Sequence, residues 1–214
     1  MAAFTGLRAQ TEIPVINKEL LPPKGIYRFA NFTEGSVIFR SGIITAVRLN
    51  YNISSDEMHF IQQNGDTLAV ADPASLSFIN LNGSRFYYDK GYLQTIDTAN
   101  SIILAFKQVL LAEQERKEAY GGVKLHEGVR TYDFFTGNGQ KYILGEDDLI
   151  KVSAREYYYF GDAYGHFSKA GKEYLYTHFA NHKQEIRQFL KTHHINFNTL
   201  DDLLELMRYC RGLK

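Results

Sequence analysis

The nine residues Thr45-Ala46-Val47-Arg48-Leu49-Asn50-Tyr51-Asn52-Ile53 decide the fold class. Thr45, Val47, Leu49, Tyr51 and Ile53 form one row and Ala46, Arg48, Asn50 and Asn52 the other. A period of two is that of a β-strand, whose side chains alternate between faces, so one face is apolar and the other polar. Upstream, Val37 and Phe39 alternate before a Ser41-Gly42 turn; downstream, Ser54-Ser55-Asp56 is a turn. Met58 and Phe60 alternate up to Asn64-Gly65-Asp66, and Thr67 to Val70 is the return strand. Asn-Gly between alternating runs signals a hairpin with a type I′ turn, which needs positive φ at both central positions.

The pattern continues along the chain. Asp72-Pro73 and Asn82-Gly83 are turns around a strand at Leu76 and Phe78; Arg85 to Tyr88 is a strand ending at the Asp89-Lys90-Gly91 turn. Ser101 to Leu111 is apolar on both faces and is read as a long covered strand in preference to a helix. A hairpin is expected from Val129–Phe135 through Gly137-Asn138-Gly139 to Lys141–Leu144, and an aromatic strand over Val152–Phe160. Turns recur every eight to twelve residues, which predicts a mainly β, antiparallel meander of about ten strands, closed as a barrel or stacked as a sandwich.

Near Ser168 the period changes. Leu175, Phe179, Ile186, Phe189, Leu190 and His193 recur at helical spacing, and an Asn181/Gln184 capping box divides the stretch into two helices. Thr199 with Asp202 starts a last helix whose stripe is Leu200, Leu203, Leu204 and Met207. The expected organisation is a lead-in over 1–24, a β domain over 25–168 and a helical extension over 169–214. That extension should pack on the β domain, since three short helices cannot bury their stripes alone.

Lys plus Arg number 24 and so do Asp plus Glu, which removes the electrostatic case for nucleic acid. The helical tail from Lys169 is only mildly basic. The single cysteine, Cys210, excludes an internal disulfide, and no apolar run reaches the length of a transmembrane helix. Three of the four prolines, Pro14, Pro22 and Pro23, mark an extended lead-in. Before them, a small apolar run ending at Ala9-Gln10 has the pattern of the end of a secretory signal peptide, though it lacks a basic start. A truncated signal and a frayed cytoplasmic terminus both remain open.

Candidate sites are few. His178 and His182 stand at a metal-ligand spacing on one helix face, but Phe179 occupies the position of the metalloprotease glutamate, so core or boundary histidines are expected. His193-His194 are read as capping a helix end, and Cys210 as a buried small hydrophobe. Asp66, Asp72, Asp133, Glu146, Asp147 and Asp148 supply carboxylates for a glycosidase-like pair, but most sit at turns, where Asp is expected for its own hydrogen bonds. No catalytic, cofactor or metal residue is assigned. The most unusual composition is Tyr157-Tyr158-Tyr159-Phe160 with Tyr164 and His166. Alternation sends Tyr157 and Tyr159 to one face and Tyr158 and Phe160 to the other. One set is core; the other is a candidate partner-binding ring surface unless the helical tail covers it.

The motifs Leu49-Asn50-Tyr51-Asn52, Asp56-Glu57-Met58-His59-Phe60 and Gly65-Asp66-Thr67-Leu68 resemble those of a group of exported Bacteroidota proteins without an assigned activity. The ending, with Lys183, Ile186, Phe189, Leu190, Ile195-Asn196-Phe197 and Asp202-Leu203-Leu204, is similar too. The resemblance spans roughly 35–81 and 178–209 and implies export to the periplasm or surface; it transfers no site residues. The expected function is therefore a non-enzymatic envelope protein binding a protein or polymer through its β surface. A barrel holding a small apolar ligand, and a hydrolase with an Asp/His site, are the alternatives.

Overall fold

The computed structural model describes residues 26–116, 132–133 and 148–213, with side chains described outside 111–116, 132–133 and 148–153. Among the described residues the protein is a mainly antiparallel β-sheet protein with C-terminal helices, as the alternation and turn spacing require. Eleven strands are described, one of them only two residues long. The expected hairpin over 129–144 lies outside the described residues except for β9 (Tyr132–Asp133), which pairs with β8 (Ile102–Arg116). The chain divides into two compact units.

Of the described residues, the first unit comprises 26–32, Arg48–Pro73, 109–116, 132–133 and 148–155. Its centre is the end of β2 (Ile44–Asn52), paired with β3 (Glu57–Ile61), which pairs with β4 (Thr67–Ala69). Leu49, Tyr51, Ile53 and Met58 are buried, as the apolar row predicts. The polar row departs from expectation: Asn50 and Asn52 are also buried, because residues 26–31 lie across β2. The Arg28 amide donates to the Tyr51 carbonyl and the Ile53 amide to that of Ile26, both at 2.8 Å. The Asn64-Gly65 turn also differs. Only Gly65 has positive φ, and Gln62 bonds across to Asp66, so the loop is longer than a type I′ turn. A positive-φ pair occurs instead at Asn82-Gly83 in the second unit (φ 49° and 75°), where β5 passes to β6.

The second unit comprises Thr33–Val47, Ala74–Gln108 and Glu156–Lys214. β1 (Thr33–Phe39) pairs with β5 (Leu76–Leu81), and β6 (Ser84–Tyr88), β7 (Tyr92–Ala99) and β8 follow in order. β10 (Asp148–Gly161) comes next, with β11 (Phe167–Lys169) paired to its end. The apolar stretch from Ser101 is thus a strand, covered on both faces. On one face Ile102, Leu104 and Phe106 pack with Tyr158, Phe160 and the helices; on the other Ile103 and Ala105 pack with Tyr87 and Leu93. Three strands separate β11 from β6, about four strand spacings or ~19 Å in a flat sheet. Yet the Phe167 ring lies 5.5 Å from that of Tyr87, and the Phe167 amide donates to Asp89. The sheet of this unit therefore curls until its end meets its middle, and Phe78, Tyr87, Leu93, Ile103, Tyr159 and Phe167 fill the curl.

The helices α1 (Lys172–His178), α2 (Lys183–His193) and α3 (Leu200–Gly212) cover the other face of this sheet. Leu175, Ile186, Leu203, Leu206, Met207 and Cys210 are fully buried there, which places the tail's apolar stripes where burial is strongest. Arg211 pairs with Asp97 at 2.8 Å, and Asn100 donates to the carbonyls of Cys210 and Leu213, tying the last turn of α3 to the β7–β8 turn. A break between α1 and α2 falls where expected, but the Asn181/Gln184 box does not form: His182 is the N-cap, and its ring bonds Glu185 instead. Thr199 is the N-cap of α3 without a side-chain bond, and Asp202 accepts the Asn196 amide.

Candidate functional site

Two places stand out, one in each unit. The first is formed by two hairpin tips of the second unit. The β1–β2 turn is closed by the Gly42 amide to the Phe39 carbonyl and the Phe39 amide to the Ile43 carbonyl, and Gly42 supplies a φ of 87°. Its residues Ile43 and Ile44 are 57% and 67% exposed. Ile43 lies in the turn and Ile44 opens β2, so the exposed pair stands at the tip of the hairpin. The β10–β11 turn carries Tyr164, 74% exposed. Asp162 shapes this turn: one oxygen accepts the Tyr164 and His166 amides and the other the His166 ring. Burial pushes the Asp162 carboxyl upward, but these hydrogen bonds outweigh it and hold it below the usual carboxylate range.

The two tips adjoin. Gly165, at φ 88°, lies with its Cβ direction 3.8 Å from the Arg40 guanidinium and 3.6 Å from the Tyr87 ring. Arg40 is itself anchored, its Nε donating to the Ala74 carbonyl and its amide to that of Ser75. Ile43, Ile44 and Tyr164 are the large apolar side chains exposed among the described residues, and all three sit at these tips.

The expected ring surface of Tyr157, Tyr158, Tyr159, Phe160, Tyr164 and His166 is divided by the fold. Tyr158 and Phe160 are not a displayed surface: the helices cover them, with Phe160 fully buried against Tyr174 and Phe197. Burial, with help from Glu156 at 2.9 Å, pushes the Tyr158 phenol up to about 12. Tyr159 packs into the filled curl, and Tyr157 is half-buried. Only Tyr164 and His166 are in the open. The sequence reading missed Ile43 and Ile44, although an apolar pair directly after a Ser-Gly turn was there to be noticed.

The second place is a polar row in the first unit that no motif announced. The Tyr27 hydroxyl lies 3.1 Å from His59 Nδ1, and His59 Nε2 lies 3.1 Å from Glu57. Glu57 accepts from Nε2–H, which leaves Nδ1 to accept the phenol proton. The His59 bond holds the Glu57 carboxyl below its ordinary range against the opposing effect of burial; burial, then the Glu57 charge, raises Tyr27. Register explains the grouping. Asn50 faces His59 and Asn52 faces Glu57 across the β2–β3 pair, while Tyr27 bridges to Asn52, so all five side chains share one face. Asn50 reads the covering segment, accepting the Phe29 amide and donating to the Phe29 and Asn31 carbonyls. Asn52 spends its oxygen on Ser54 and Ser55, and its Nδ2 is buried without a partner among the described residues.

The remaining candidates do not converge. His178 donates to or accepts from no shared centre with His182: the first bonds the Asn100 carbonyl and stacks on Tyr174, the second bonds Glu185. No group of three metal-ligating side chains occurs among the described residues. His193 bonds the Phe189 carbonyl at the end of α2, and His194 takes the left-handed C-cap conformation. Cys210 is buried, and burial pushes its thiol up to about 11. Asp66 accepts from Asn64 in its turn; Glu146 and Asp147 lie outside the described residues, and the side chains of Asp133 and Asp148 are not described. No helix among the described residues is long and apolar enough to cross a membrane. In comparisons with protein families, characterised proteins and solved structures, the chain matches none.

Proposed function

We propose that this chain is a non-enzymatic, exported envelope protein that binds through its β surface, and that its docking face is the pair of hairpin tips in the second unit. One observation carries the reading: the exposed large apolar side chains Ile43, Ile44 and Tyr164 gather at two adjoining tips, while the rest of the aromatic segment is consumed by packing. Isolated exposed apolar residues are ordinary, but a gathered set marks an interaction site. The test is co-sedimentation of the purified chain with an envelope fraction. The wild type should sediment, and the triple variant Ile43→Ser, Ile44→Ser, Tyr164→Ser should stay in solution with unchanged circular dichroism. Equal sedimentation of the two would remove the tips as the docking face.

The hydrolase alternative has one observation in its favour, the Tyr27–His59–Glu57 chain, which has the connectivity of a proton relay with a carboxylate orienting an imidazole. On that reading, turnover of a nitrophenyl ester should fall at least ~100-fold in a folded His59→Gln variant, the scale on which general-base loss acts. Turnover that survives the change leaves the row a structural clasp. The barrel-ligand alternative has no comparable support, since side chains fill the curl of the second unit.

A further inference from the structure

The partner class of the docking face can be read from its shape and size, an inference that rests on the reading of the tips as that face. Taking on the order of 200 Å² for a large side chain, the three exposed residues present roughly 400 Å². A stable protein partner covers about 800 Å² per side and draws its energy from anchors held in well-packed pockets. These tips are the reverse of a pocket. Ile43, in the turn, and Ile44, which opens β2, are both in the open. A surface that takes up such a tip must yield around it. Tyrosine adds an amphipathic ring suited to a water–hydrocarbon boundary, and Tyr164 stands on the neighbouring tip. Beside the tips lies Arg40, exposed, with its Nη2 beside Gly165 and its Nε donating to the Ala74 carbonyl. A guanidinium set just behind apolar prongs matches a layer of phosphates above hydrocarbon.

We infer that the two tips are an anchor for a phospholipid bilayer surface, with Ile43, Ile44 and Tyr164 entering the interfacial zone and Arg40 taking a lipid phosphate. The anchor holds the folded protein against the bilayer without spanning it, as shallow apolar insertion with one basic contact does.

The full chain is tested by flotation with vesicles of phosphatidylethanolamine containing phosphatidylglycerol, and with vesicles of phosphatidylcholine alone. The wild type should float with both and more strongly with the anionic set. The triple serine variant should bind at least ~10-fold more weakly to both, because the apolar contribution is common to them. Arg40→Gln should lose about fivefold on anionic vesicles, the weight of one basic residue near such a surface, and its binding should become insensitive to salt. Light scattering on the free chain is the companion measurement. Self-association abolished by the triple variant, with no vesicle binding, would overturn the lipid anchor in favour of a second copy of the chain. No vesicle binding, with envelope sedimentation still lost in the triple variant, would overturn the lipid anchor and keep the docking face. Vesicle binding that the triple variant retains would overturn both, as would indifference of both assays to the three residues.

Discussion

Asn50→Ala tests how the first unit holds its N-terminal segment. Asn50 is 1% exposed, and its carboxamide makes three bonds to main chain: from the Phe29 amide at 3.2 Å, to the Phe29 carbonyl at 2.8 Å and to the Asn31 carbonyl at 3.2 Å. Alanine removes all three bonds. The two on Phe29 are partly buried and cost about 1–3 kcal/mol together beyond the lost bonds; Asn31 is exposed, so water replaces most of its bond. The sum is about 2–4 kcal/mol. Since 1.36 kcal/mol is tenfold, hydrogen exchange at the Arg28 and Ile53 amides, which bond across the segment and β2, should speed up by about thirtyfold to several hundredfold. Asn80→Ala is the control, because Asn80 is exposed and bonds only Ser36 among its recorded partners; its change should stay within about 0.5 kcal/mol. Asn50→Asp should be worse than alanine at neutral pH, since it sets a carboxylate against two carbonyls. Protonation restores one donor, so its deficit should shrink as pH falls. Acceleration below about threefold in Asn50→Ala would refute the clasp reasoning.

Three further outcomes follow from the same geometry. Phe160→Ala should cost about 3–5 kcal/mol in urea denaturation, a full aromatic deletion at a fully buried site, whereas a loss under ~1 kcal/mol would return Phe160 to the surface. Cys210 should resist a thiol reagent in the native protein and react on unfolding, because it is buried and its thiol is pushed up to about 11; native labelling at the rate of a free thiol contradicts this. Asp162 is held below its ordinary range in the fold, so its contribution is complete above the unfolded carboxylate value of about 4 and is lost as pH falls through the folded one. Protection of the Tyr164 and His166 amides, taken relative to the intrinsic exchange rate at each pH, should therefore fall in acid, and Asp162→Asn should flatten that dependence.

The sequence carried the fold where a local rule had no competitor. Alternation over Thr45–Ile53 identified β2, and the apolar stretch after Ser101 is a strand because the sheet has cover on both faces. β7 escaped, since Gln94, Thr95, Asp97 and Thr98 dilute its pattern; its cue was the sequel to the Asp89-Lys90-Gly91 turn. The Asn100-Ser101 turn, with positive φ at both residues, carries no glycine to announce it. The expected Asn181/Gln184 capping box failed because α2 starts one residue later, with His182 as its N-cap bonding Glu185, while Asp202 at the start of α3 is taken by the Asn196 amide.

Site legibility was poorer for a related reason. Composition drew attention to Tyr157–Phe160, but which ring faces the core depends on where the helical tail lies, and periodicity cannot decide that. Asn50 and Asn52 looked like a solvent face until residues 26–31 were seen to cover them. The adjoining of Ile43, Ile44 and Tyr164 depends on the curl that brings β11 back to β6, a contact between segments far apart in sequence.

The central claim, that the protein docks through these tips and not through its buried rings, is tested most directly by hydroxyl-radical footprinting with and without envelope membranes. Ile43, Ile44 and Tyr164 should label heavily in the free protein and become protected on binding, while Tyr158 and Phe160 remain unlabelled in both. Protection confined to Tyr157 and Tyr159, or labelling of Tyr158 and Phe160 in the free protein, would contradict it.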